Sequence, residues 1–129
     1  MSEAVLDSSA VLAVLLAEPG ADKVQTALPG ALFSAVNFAE VVTKLCERGM
    51  PQDLARTAIE TLGVELIDFG VDHACITGDL RNVTRSADLS LGDLACLAVA
   101  QQRQLPAMTA DTAWAQLPGF NVIVIRGAG

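Results

Sequence analysis

The run Ala4-Val5-Leu6-Asp7-Ser8-Ser9-Ala10-Val11-Leu12-Ala13 decides the fold class. Ala4-Val5-Leu6 is long enough only for a short buried strand, and it ends at a carboxylate. Ser8 and Ser9 come next; their hydroxyls can satisfy the free N–H groups of a helix start, so they can cap a helix running through Leu16 to the stop Glu18-Pro19-Gly20. A strand that hands over directly to a helix across an acidic residue reads as the opening of an α/β unit.

Reading outward, the same hand-over recurs. Ala21 to Leu28 reads as a second short helix closed by Pro29-Gly30, and Ala31-Leu32-Phe33-Ser34-Ala35 as the second strand. Asn37 is expected to cap the next helix, in which Phe38, Val41, Val42 and Leu45 form the core stripe, Glu40 is turned away from it and Gly49 ends the element. Pro51 starts an amphipathic helix with Leu54, Ala55, Ala58, Ile59 and Leu62 on one face. Val64 to Ile67 reads as the third strand, and Val71 to about Arg85 as a helix despite Gly78. After a loop near Ala87-Asp88, Ser90-Leu91-Gly92-Asp93 opens a helix reaching about Gln104. Pro106 to Thr109 forms the fourth strand, ending near Asp111, and Trp114 sits on a short helical turn. Val122 to Ile125 forms the last strand, and Gly127-Ala128-Gly129 is expected to fray. Strands alternating with helices predict an α/β fold with a mainly parallel sheet covered on both faces.

The bulk properties fit one domain spanning residues 1–129. The apolar share is 52% but aromatics are only 4%, so the core must be built mostly of Ala, Val and Leu. The longest apolar stretch, Ala10 to Ala17, falls short of the roughly 18 residues of a membrane span, and Met1-Ser2-Glu3 lacks a basic segment ahead of an apolar one. A soluble, cytoplasmic protein is therefore expected, with no membrane contact. Cys46, Cys75 and Cys96 match neither a disulfide framework nor a zinc knuckle and read as buried reduced thiols. His73 stands alone, which leaves no histidine metal cage and no partner for a Ser-His-Asp triad. A net charge of −7 argues against nucleic-acid binding through a broad basic face, but not against a nuclease whose acids hold cations.

The chemistry lies in four acids. Asp7, Glu40, Asp93 and Asp111 each fall where an apolar run gives way to a helix-like stretch. In an open α/β sheet those junctions line one crevice beyond the carboxyl ends of the strands. Each acid also has a plain role as a helix cap, since Asn37-x-x-Glu40 and Ser90-x-x-Asp93 resemble capping boxes, Asp7 could cap the first helix and Asp111 the turn that holds Trp114. Gathered at one edge, however, four caps repel: two unit charges about 4 Å apart cost roughly 4 kcal/mol at an effective dielectric near 20, against about 1 kcal/mol returned by a cap. No arginine immediately neighbours any of the four, and Lys23 and Lys44 are the only lysines. A bound Mg²⁺ or Mn²⁺, which takes oxygen ligands, is the simplest compensation.

The stretches Val5-Leu6-Asp7-Ser8-Ser9-Ala10, Ser34-Ala35-Val36-Asn37-Phe38-Ala39-Glu40-Val41, Leu89-Ser90-Leu91-Gly92-Asp93 and Met108-Thr109-Ala110-Asp111 resemble, in order and spacing, the motifs of PIN-domain ribonucleases, in particular VapC-type toxins of toxin–antitoxin systems. The resemblance implies a three-layer α/β/α fold with a mainly parallel sheet of four to five strands. It implies a Mg²⁺- or Mn²⁺-dependent endoribonuclease in which Asp7, Asp93 and Asp111 ligate metal and Glu40 does so directly or through water. Ser8 and Thr109 match supporting polar positions. The implied partners are an RNA substrate, a cognate antitoxin that occludes the pocket, and a second copy of the chain in a homodimer. The antitoxin would present an arginine or lysine to the acids and an apolar helix to a groove formed partly by the first and third helices.

Asp88 reads as a loop residue rather than a ligand, and Arg81 and Arg85 as a solvated helix face rather than phosphate contacts. Two other activities fit the sequence less well. A phosphoacceptor receiver domain needs an acidic pair after the first strand and a late lysine, yet Asp7 is followed by serine and no lysine follows Lys44; a haloacid-dehalogenase-like phosphatase needs a second aspartate where Ser9 stands. A non-catalytic PIN-like binding module would have no need of all four acids.

Overall fold

The computed structural model describes residues 4–85 and 87–126. The expectations about Met1-Ser2-Glu3 and Gly127-Ala128-Gly129 fall outside that range. Val5–Leu6 (β1), Leu32–Ser34 (β2), Glu65–Ile67 (β3), Ala107–Thr109 (β4) and Val122–Val124 (β5) form one sheet in the order β3-β2-β1-β4-β5. Every neighbouring pair is parallel. The helices are α1 (Ser8–Leu15), α2 (Ala21–Ala27), α3 (Ala35–Glu47), α4 (Gln52–Glu60), α5 (Val71–Asp79) and α6 (Leu91–Arg103), with 3-10 turns at Leu80–Asn82 and Thr112–Gln116.

The strands alternate sides, as the two-residue period of a strand requires. Leu6, Phe33 and Met108, which lie side by side in register, join Val11, Val24, Val41, Leu45 and Ile59 in the core beneath α1–α4. Val5, Leu32 and Ala107 point the other way, into a second core with Leu94, Leu97, Val99 and Trp114. The result is three layers, α/β/α. Helix α6 is buried on every side from Leu94 to Ala100, and its small residues let it lie close against the sheet. Among the described residues no helix is long and apolar enough to cross a membrane.

The strand order sets the site. The chain runs from β1 outward to β2 and β3, then returns to the other side of β1 as β4 and β5. The order therefore reverses between β1 and β4, and crevices open at the carboxyl ends of strands at such a point. Asp7 immediately follows β1, and its N–H donates to Met108 O at 3.0 Å; Asp111 lies two residues past the end of β4.

Several local readings are corrected. Ser34 caps α3 by accepting from Val36 N at 3.2 Å, so Asn37 lies inside the helix and makes no capping box. Of the caps offered for α1, Asp7 serves, as its capping reading has it, and Ser8 and Ser9 lie inside the helix. The helix expected over 71–85 stops at Asp79 and tightens into a 3-10 turn, because Leu80 dips into the second core and Thr84 Oγ1 bonds back to its carbonyl at 2.8 Å. Leu54, placed on the apolar face of α4, is 56% exposed; Ala55 and Ile59 carry the packing there. Only Cys96 is buried, whereas Cys46 and Cys75 are exposed on helix surfaces; all three are free thiols.

Candidate active site

Asp7 is the best-anchored of the acids, with 5% of its surface exposed. Its Oδ1 accepts from Ala10 N at 2.9 Å and from Ser9 Oγ at 2.7 Å, and its Oδ2 accepts from Thr109 Oγ1 at 2.7 Å. Ser9 also accepts from Ala110 N at 2.9 Å, which ties the start of α1 to the end of β4. Burial pushes the Asp7 carboxyl up to about 6 although Ser9, Thr109 and Ala10 pull it down, and the charge of Asp93 adds to the rise.

Glu40 projects from α3 off the core stripe. Its Oε1 accepts from Ser8 Oγ and from Asn37 Nδ2, the latter at 2.9 Å. The same Asn37 amide reaches Gly92 O at 3.0 Å, so one buried side chain fastens Glu40 to the first turn of α6. Both acceptors demand the NH₂ group, which fixes the orientation of the amide. The approach is close enough that a Cβ at Gly92 would fall inside the Glu40 carboxylate.

Asp93 stands in the first turn of α6, where the expected capping box is formed in full: Asp93 N donates to Ser90 Oγ at 3.1 Å and Ser90 N to Asp93 Oδ2 at 2.9 Å. Its carboxyl is raised by partial burial, against the two Ser90 bonds, and further by the charges of Glu40 and Asp111. Asp111 is exposed and caps the 3-10 turn by accepting from Ala113 N at 3.0 Å, while its own N–H donates to Thr109 Oγ1 at 3.0 Å.

These mutual effects mark one electrostatic cluster. Asp93 feels Glu40 and Asp111, Asp7 feels Asp93, and the buried Cys96 thiol is driven up first by burial and then by Asp7, Asp93 and Glu40. Among the described residues the ion pairs are Lys44–Glu47, Arg56–Glu60 and Arg126–Glu18, none of which involves the four acids. One oxygen each of Glu40, Asp93 and Asp111 accepts no hydrogen bond from a described residue. Capping therefore leaves part of each donor group open.

No group of three described His, Cys, Asp or Glu side chains forms a ready-made metal cage. The donor set nevertheless fits a hard cation of the Mg²⁺ or Mn²⁺ kind, since Mg²⁺ takes oxygen ligands, binds through one or two carboxylates and keeps several of its own waters.

Ser8 and Thr109 donate their hydroxyls to Glu40 and Asp7, respectively. Three further residues shape the cleft: Ser9, Asn37 and Gly92. A second serine after Asp7 and a glycine in the first turn of a helix were visible signals, but the bond from Asn37 to a carbonyl 55 residues away was not. Arg81 is exposed, in keeping with the solvated-face reading, and its Nη2 also donates to Leu89 O at 2.6 Å, bracing the loop ahead of α6. Arg85 bonds Asn82 Oδ1 at 3.3 Å on the surface, and Asp88 lies exposed in the loop. His73 pairs with Gln102 at 2.8 Å, joining α5 to α6.

The profile of the PIN domain family matches residues 4–119. The chain belongs to the PIN domain family. Solved structures similar to this PIN domain include a toxin–antitoxin complex from Klebsiella pneumoniae, 23% identical with a TM-score of 0.74, over 98% of this chain and 100% of that one. VapC20 of Mycobacterium tuberculosis, described as a Sarcin-Ricin loop cleaving toxin, is 20% identical with a TM-score of 0.75, over 92% of this chain and 96% of its own. FitAcB from Neisseria gonorrhoeae is 18% identical with a TM-score of 0.71, over 95% and 97%. No curated protein sequence matches the chain significantly.

Proposed function

We propose that this PIN domain is a Mg²⁺- or Mn²⁺-dependent endoribonuclease and the toxin of a VapC-type toxin–antitoxin pair, acting in the cytoplasm. The observation that carries the reading is the clustering of Asp7, Glu40, Asp93 and Asp111 at the switch point of the sheet with no ion pair to any described cation. In this reading Asp7, Asp93 and Asp111 hold the metal, and Glu40 holds it directly or through water. The bound ion would polarise the scissile phosphate, activate a water and offset charge on the leaving oxygen.

The chain's own residues supply alignment. Ser9 and Thr109 keep the Asp7 carboxylate in one rotamer, Ser8 and Asn37 do the same for Glu40, and the Ser90 cap presents Asp93 from the rigid first turn of α6. Such bracing limits the reorganisation needed when a phosphate enters. The acidic cleft by itself repels RNA, so substrate binding should depend on the divalent ion.

Several structural relatives are toxin–antitoxin complexes, which favours an antitoxin partner; in the same reading that partner presents an arginine or lysine to the four acids. A homodimer belongs to the same reading. The decisive experiment compares wild type with Asp93→Asn on total RNA in Mg²⁺, in Mn²⁺ and in chelator. Cleavage should require the ion and fall at least a hundredfold in the variant; cleavage in chelator, or an Asp93→Asn protein as active as wild type, defeats the proposal.

A further inference from the structure

Beyond Asp111 a groove of about 350 Å³ separates the loop leading into α6 from the second 3-10 turn. Leu89 lines one side, Leu117 and Pro118 the other, and Trp114 also contributes; Asp88 and Gln116 add polar groups. Both walls are fastened. The Leu89 side chain is buried, its N–H bonds Ala87 O at 3.1 Å and its carbonyl is held by Arg81 at 2.6 Å. Opposite it, Trp114 is buried, Asp111 caps the turn, and Leu117 N bonds Trp114 O at 3.0 Å. The slot is preformed.

We propose that this groove is a nucleobase subsite beside the cleavage site, selecting an RNA base that offers adjacent N–H donors, guanine above the others. The inference rests on the nuclease reading and specifies its substrate. Continuity is the first argument: Asp111 belongs both to the acid cluster and to the groove, so a ligand in one lies next to a phosphate in the other. Charge is the second. Asp88 and Asp111 repel a phosphate but welcome a neutral base, and Asp88 makes no hydrogen bond or ion pair with any described residue. A carboxylate accepts hydrogen bonds from base amino groups, and guanine sets N1–H beside N2–H₂, matching two carboxylate oxygens. Uracil instead brackets its single N–H with two carbonyls that face the same oxygens. Size is the third: about 350 Å³ is near the small end of ligand sites, roughly 300–1,000 Å³, and suits one unstacked nucleotide rather than a duplex.

Two measurements on the full chain test this. Fragment ends of total RNA cut in Mn²⁺ by wild type and by Asp88→Asn are mapped. Wild type should show guanine enriched at one fixed position beside the cut, and Asp88→Asn should still cleave while losing about tenfold of that preference, a typical scale for one bidentate base contact. An unchanged base profile overturns the subsite and leaves the nuclease standing. Independently of cleavage, fluorescence of Trp114, the sole tryptophan, is followed during titration with guanosine or uridine. Guanosine should act at lower concentration, and Asp88→Asn should erase the difference; equal responses in wild type refute the proposal even if the protein cuts no RNA.

Discussion

A methyl group at Gly92 has nowhere to go except into the Glu40 carboxylate. Gly92→Ala should therefore drive Glu40 away from Ser8 and Asn37 and lower RNA cleavage at least tenfold. The exchange does not cost the helix itself, since alanine has the higher helix propensity. Circular dichroism should thus show a melting temperature that falls little or not at all, separating a damaged cleft from a damaged fold. Asp7 offers a second test at this scale. Its folded carboxyl is raised to about 6 from an ordinary 3.8, so between those values the folded chain keeps a proton that the unfolded chain has released. Stability consequently falls as pH rises through that window and stays reduced above it, by roughly 3 kcal/mol for the full shift. Asp93 is raised as well and adds in the same sense. In chelator, Asp7→Asn should melt several degrees above wild type at pH 7.5, and the gap should close near pH 4. A variant less stable than wild type at pH 7.5 would show that the hydrogen bonds to Asp7 outweigh the cost of burying its charge.

Among the elements, α6 delivers both a core surface and a carboxylate, and its start is where the two meet. Ser90→Ala removes the acceptor for Asp93 N and should cost about 1 kcal/mol in denaturant unfolding, with a larger proportional loss in cleavage because Asp93 is no longer held. This element is legible in the sequence: Ser90-x-x-Asp93 states a capping box, and the Ala- and Leu-rich run behind it states a buried helix. The start of α3 is not. Asn37-x-x-Glu40 has the same spacing, yet Ser34 ends β2 and caps α3 at once, leaving Asn37 free to bond across to α6. Local pattern names a cap; only packing decides which of two candidates serves. The end of α5 is hidden for a similar reason, since Leu80 turns inward to meet the second core and periodicity alone carries no record of that pull. Asp7 and Asp111, by contrast, can be found because each lies just past a strand, and the strand order brings β1 and β4 side by side; Glu40 sits within α3 and Asp93 follows a loop, so their place beside the other two is set by helix packing.

For the whole molecule the uncompensated repulsion within the cleft becomes a stability handle. A divalent ion that binds only the folded chain stabilises it by mass action, about 2.7 kcal/mol at a hundredfold excess over its dissociation constant. Millimolar Mn²⁺ should raise the melting temperature of wild type by several degrees, and scanning calorimetry of Asp93→Asn should show little or no rise. Equal rises in both proteins would place the ion elsewhere. The sheet order carries one more consequence. Asp7 ends β1, but its Thr109 clamp comes 102 residues later, on a strand inserted beside β1 after the chain has passed through β2 and β3 on the other side. A polypeptide cut before residue 107 has no β4 and no Thr109 partner for the Asp7 carboxylate, so truncation there should leave the rest of the sheet with an open edge at β1 and an unfinished pocket.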